Sequence, residues 1–185
     1  MNEWIETHKD GRSRPRGIVL ALLLLGLGAF ITAYAGTVPL APAAPFTTTS
    51  GQALSTTSLK GRPTLLWLLS TWCGSCAAGL QTLAQHADRL QKVGLRVVVL
   101  RNYRNDGYPG MRITEFARKV LPHFTPPKNW VLGQASRQLG ERYNARHYPD
   151  VYFLIDAKGR IRAVDSAPSA TFSRILAFAN NPANR

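Results

Sequence analysis

Cys73 and Cys76 are the only cysteines in this 185-residue chain, and they stand three apart in the string Trp72-Cys73-Gly74-Ser75-Cys76. The string follows an apolar run, Leu65 to Leu69, and precedes a stretch with helical spacing. A strand that ends in Cys-x-x-Cys at the start of a helix makes a reactive dithiol. The helix N-terminus offers unpaired N–H groups and a partial positive charge, which favour thiolate over thiol at the first cysteine. The second cysteine, one turn further in, is close enough to close a disulfide. Zinc sites share the spacing, but a disulfide-held scaffold would carry four or more cysteines. A bridge across so short a loop also removes little unfolded-state entropy. Cys73 is therefore expected as an exposed nucleophile with a lowered pKa, and Cys76 as the resolving thiol.

The elements that must position this pair are legible in the apolar pattern. Thr64 to Leu69 is a continuous buried strand, as in a sheet covered on both faces. Ala77 to Val93 has a helical stripe of Leu80, Leu83, Ala84, Ala87 and Leu90, closed by Gly94. Leu95 to Leu100 is a second buried strand, and Ile113 to Val120 is a helix stopped by Pro122. Ser136 to Tyr143 is a short helix; Val151 to Ile155 and Ile161 to Val164 form a hairpin around Asp156-Ala157-Lys158-Gly159. A helix over Thr171 to Ala179 closes the chain. The order predicts an α/β three-layer domain. The polar stretch Arg101 to Gly110 is expected to be a connecting loop beside the site.

Residues 18–34 carry no charge and follow Arg12, Arg14 and Arg16. This predicts a cytoplasmic tail over 1–16 and a transmembrane anchor over 17–36, with everything after it exported. A cleaved signal peptide is the alternative, since Ala33-Tyr34-Ala35 has the small-x-small form. Both place the cysteines on the same, extracytoplasmic side. Residues 37–55, rich in Pro, Ala and Thr, are expected to be a linker, with the globular domain over 56–185. The net charge is +13. The first 36 residues hold four basic and three acidic residues, so the excess belongs to the domain. The basic residues are scattered, which fits a generally basic surface and no nucleic-acid module.

The arrangement strand–WCxxC–helix, then Tyr148-Pro149, then the strand VYFLID and the turn AKGRI, resembles the thioredoxin superfamily. With the anchor, it is most similar to the membrane-bound TlpA/ResA-like thiol–disulfide oxidoreductases. The resemblance implies a thioredoxin-like domain with a central mixed sheet, disulfide exchange with exported proteins as in cytochrome c maturation, and no organic cofactor or resident metal. It also implies a membrane electron-transfer partner as the source of reductant. Pro149 would be the cis-proline of that fold, presenting the backbone of Tyr148 to an extended peptide, and Trp72 would cover the rim. The chain departs from the family where a carboxylate often stands six residues before the first cysteine, here Trp67, and where an acidic residue often follows the second, here Gly79. Both departures leave the proton handling of Cys76 open. His147 and His123 are candidate neighbours of the dithiol. The competing resemblance is to Sco-type copper-handling proteins, in which a histidine would join the two cysteines.

Overall fold

Strand β3 (Thr64–Leu69) is buried along its whole length, and the domain is assembled on its two faces. The computed structural model describes residues 38–185. Successive strand side chains point to opposite faces. Leu65, Trp67 and Leu69 therefore enter one core with α1 (Gly74–Gln85), α2 (Ala87–Lys92), α3 (Ile113–Val120) and α5 (Phe172–Asn180). Leu66 and Leu68 enter the other, with Leu139 and Tyr143 of α4 (Arg137–Tyr143).

The remaining strands are β1 (Pro45–Thr48), β2 (Ala53–Ser55), β4 (Arg96–Arg101), β5 (Trp130–Ala135), β6 (Asp150–Ile155) and β7 (Ile161–Asp165). They form one mixed seven-stranded sheet in the order β2-β1-β5-β4-β3-β6-β7. β3 runs parallel to β4 and antiparallel to β6, and the register sets Leu69 opposite Asp150. That pairing brings the end of β3 and the start of β6 together, directly under the cysteine string.

The sequence expectation differs from the structure in the layout of several elements. The proposed linker over 37–55 is largely built into the domain, which does not start at Thr56. Ala44 and Phe46 are buried, and β1 pairs with both β2 and β5. Its proline-rich approach is pinned by donors: the Tyr143 hydroxyl and the Thr56 hydroxyl both donate to the Pro42 carbonyl, at 2.6 and 2.7 Å. β5 carries no clear strand pattern in the sequence, because Gly133 and Gln134 interrupt its apolar run. A Cβ at Gly133 would lie 2.5 Å from the Thr47 carbonyl oxygen, so the close approach of β1 requires the missing side chain. The long helix divides at His86, which leaves helical dihedrals and stacks its ring on Phe172 at 4.4 Å.

The expected cytoplasmic tail and anchor lie outside the described residues. Among the described residues no helix is long and apolar enough to cross a membrane.

If the segment before Thr56 is core, Phe46→Ala destabilises the domain by about 3–5 kcal/mol. Chemical denaturation measures this directly, and an unchanged midpoint would restore the linker reading.

Candidate active site

Cys73 closes the loop after β3 and caps α1: its Sγ accepts the Cys76 backbone N–H at 3.2 Å. The helix thus begins three residues earlier than its apolar stripe shows, with both cysteines at its N-terminus. The two are joined as a disulfide, with Cα atoms 5.3 Å apart. Cys73 is 7% exposed and Cys76 fully buried. The expected exposed nucleophile is therefore recessed, because Trp72, Ser75 and the start of β6 crowd around it. It is nevertheless the one sulfur-bearing residue of the pair that reaches the surface. Cys76 Sγ lies 3.2 Å from the Pro149 carbonyl oxygen, which also accepts the Ser70 N–H at 2.8 Å.

A carboxylate stands beside the disulfide, supplied by a residue that the sequence reasoning passed over. Asp150, the first residue of β6, accepts the Trp67 indole N–H at 2.8 Å on Oδ1 and the Ser75 hydroxyl at 2.9 Å on Oδ2. Ser75 Oγ is also 3.1 Å from Cys73 Sγ. The donor atoms of Cys73, Cys76 and Asp150 all lie within 4.8 Å of one another. In the reduced state the two sulfurs stand beside a carboxylate oxygen. Tyr152, two residues along β6, is pushed up by burial, with the Asp165 and Asp150 carboxylates adding to the shift against a hydrogen bond to Thr171.

The two departures noted in the sequence are a single packing arrangement. The Trp67 ring fills the space beneath α1, and a Cβ at Gly79 would lie 2.9 Å from it and 3.1 Å from Pro168. An acidic side chain at position 79 and an indole at 67 exclude each other. With Trp67 in place, the acid comes from Asp150, across the sheet. The adjacent Pro149 was the signal in the sequence, since its match to the family placed the following residue next to the dithiol.

The loop after β4 does more than connect. Arg104, Asn105 and Asp106 all lie in the left-handed region, with φ of 49°, 55° and 57°. This turn drives the fully buried Asn105 under the cysteine string. Asn105 Oδ1 accepts the Thr71 N–H at 2.8 Å, and its carbonyl accepts the Trp72 indole N–H at 3.1 Å. Trp72 packs against Tyr108, ring centroids 5.0 Å apart, and Trp72, Tyr108 and Tyr148 form exposed apolar surface.

Around Pro149 the structure corrects two expectations. Every peptide bond among the described residues is trans, that of Pro149 included. The Tyr148 backbone is also engaged rather than presented: its N–H donates to Asn144 Oδ1 at 2.8 Å and its carbonyl accepts from Asn144 Nδ2 at 2.7 Å. His147 turns away from the sulfurs, with its side chain 77% exposed and Nδ1 3.7 Å from Asp106 Oδ1. His123 is exposed on the turn after α3 and is not among the sulfur-side donors.

The family model described as Redoxin matches residues 37–177. Among curated proteins no sequence matches. Solved structures similar in fold include a thiol:disulfide interchange protein from Chlorobium tepidum, at 21% identity and a TM-score of 0.57, covering 77% of this chain and 96% of that one. The thioredoxin domain of a thiol-disulfide oxidoreductase from Bacteroides vulgatus aligns at 17% identity with a TM-score of 0.58, over 77% of this chain and 97% of that one. A secreted Mycobacterium tuberculosis disulfide oxidoreductase, described as homologous to E. coli DsbE, aligns at 21% identity and 0.54, over 73% and 92%. These likenesses show a thioredoxin-like α/β fold around a central mixed sheet.

The packing of Trp67 on Gly79 is open to a double-mutant test. Gly79→Ala costs about 1–3 kcal/mol through overpacking, and Trp67→Phe in the same chain recovers part of the loss. Equal costs in the presence and absence of Trp67, measured by thermal denaturation, would break the link between the two positions.

Proposed function

This chain belongs to the Redoxin family, and we propose that it is an extracytoplasmic thiol–disulfide oxidoreductase acting on exported proteins through Cys73 and Cys76. The observation that carries this reading is a disulfide at a helix N-terminus whose second cysteine is fully buried while the first keeps 7% of its surface exposed. In the reducing direction the Cys73 thiolate attacks a substrate disulfide. A Cys73–substrate bond forms, and the substrate's other sulfur leaves as a thiolate. Cys76 then attacks Cys73, which forms the internal disulfide and releases the reduced substrate. A membrane electron-transfer partner returns two electrons to the pair. The helix N-terminus and the Cys76 N–H hold the thiolate form of Cys73.

The exposed rings of Trp72 and Tyr148 support an apolar contact with the substrate, as does the half-buried Pro149 that follows Tyr148. The uncharged stretch over 18–34, behind three arginines, supports a tail over 1–16, an anchor over 17–36 and a catalytic domain on the outer side of the cytoplasmic membrane. The described "secreted" location of the Mycobacterium tuberculosis protein is in keeping with that side. A copper-handling role would draw His147 to the two cysteines. Its contact with Asp106 favours disulfide exchange instead.

Cys73→Ser lowers reduction of insulin disulfides to background, while Cys76→Ser accumulates a mixed disulfide at Cys73, read by mass spectrometry. For a reductase the potential of the pair lies near about −270 mV, and a value near about −120 mV would reverse the assigned direction. A membrane-impermeant thiol reagent labels Cys73 in intact, reduced cells if the domain is exported. Labelling only after lysis would overturn the location.

A further inference from the structure

We propose that Asp150 and Ser75 form a proton relay to Cys73, in which the carboxylate takes up a proton on reduction of the disulfide and the Ser75 hydroxyl passes its hydrogen bond to the Cys73 thiolate. The inference rests on the redox role of the pair argued above. Ser75 Oγ touches both groups, at 3.1 Å from Cys73 Sγ and 2.9 Å from Asp150 Oδ2, and it has one hydrogen to give. In the disulfide the Cys73 sulfur is neutral, so the hydrogen goes to the carboxylate. On reduction a thiolate and a carboxylate within 4.8 Å compete for it. Like charges that close do not both persist in a buried site. The Trp67 indole holds the other carboxylate oxygen at 2.8 Å and keeps Asp150 from swinging away.

The step balances as follows. A thiolate of the electron-donating dithiol attacks Cys73 Sγ, the Cys73–Cys76 bond breaks, and Cys76 leaves with the electron pair. Cys76 takes one of the two protons released by the donor and then donates toward the Pro149 carbonyl, 3.2 Å away. The donor's second sulfur displaces Cys73, which closes the donor's own disulfide. Asp150 takes the second proton and donates to Ser75 Oγ, and Ser75 donates to the Cys73 thiolate. Two electrons and two protons leave the donor and arrive on the protein. Asp150 exchanges with water through a groove of about 230 Å³ that it lines with Tyr148, Val164 and Asp165. The titratable groups facing it are Cys73 and Cys76 at the start of α1, Tyr152 of its own strand, Asp165 of β7 and Tyr148 of the shared groove. Asp165 is paired with Arg174, and His147 is directed to Asp106.

The test is the rate of Cys73 alkylation by iodoacetamide against pH, on the reduced full chain in a Cys76→Ser background, with melting temperatures measured alongside. With Asp150 present, the rate rises in two coupled steps. Asp150→Asn gives a single step and alkylation faster by about tenfold between the two original steps, where Asp150 and Cys73 otherwise share one proton. Asp150→Glu restores two steps. Ser75→Ala slows alkylation and removes most of the Asp150→Asn acceleration in the double variant. A profile unchanged by Asp150→Asn, or effects of the two substitutions that simply add, would overturn the relay. If Asp150→Asn fails to fold, Ser75→Ala decides alone, an unchanged profile counting against it. A Cys73 no more reactive than free cysteine at neutral pH would instead overturn the oxidoreductase reading, whatever Asp150 does.

Discussion

The hydrogen bond from the Trp67 indole to Asp150 couples the core to the chemistry. A buried carboxylate needs donors to replace water, and Asp150 has one from the strand below the disulfide and one from the helix above it. The indole that donates is also the largest fully buried side chain in the domain. Its bulk leaves no space for a side chain at Gly79. One residue therefore anchors the acid, supports the underside of α1 and determines what the helix carries one turn past Cys76. Substitution at Trp67 would affect packing and redox chemistry together.

The centre of the fold was legible where the pattern is local. The unbroken apolar run of β3, the stripe of α1, the limits of α3 and the turn between β6 and β7 each declare themselves within about ten residues. The dithiol was legible because both cysteines sit on one helical turn. Asp150 was not, because its partners lie 83 and 75 residues earlier and are joined to it only by the antiparallel register of β3 on β6. The edge strands β1 and β2 were hidden by composition. Proline, alanine and threonine read as a linker until a buried Phe46 and the hydroxyls of Thr56 and Tyr143 are seen to hold them. The buried position of Cys73 was likewise a product of tertiary crowding.

The turn after β4 is the strained part of the site. Three consecutive residues other than glycine in the left-handed region cost about 1–2 kcal/mol each, less for Asn and Asp. The cost is offset by what the conformation places. Asn105 binds the backbone of Thr71 and the ring of Trp72. Asp106 receives Ser70 and Asn102, the latter at 2.6 Å. Asn102 and Asn144 then hold the Tyr148 carbonyl. A chain of buried amides thus fixes the two loops that flank the sulfurs.

The depth of Cys73 has a stereochemical consequence. Displacement at a disulfide runs with the entering and leaving sulfurs in line, and the leaving sulfur belongs to the fully buried Cys76. An electron-donating thiolate must therefore approach Cys73 from the side opposite Cys76. With 7% of Cys73 exposed, that approach favours a sulfur carried at the tip of a protruding segment over one set in a flat face.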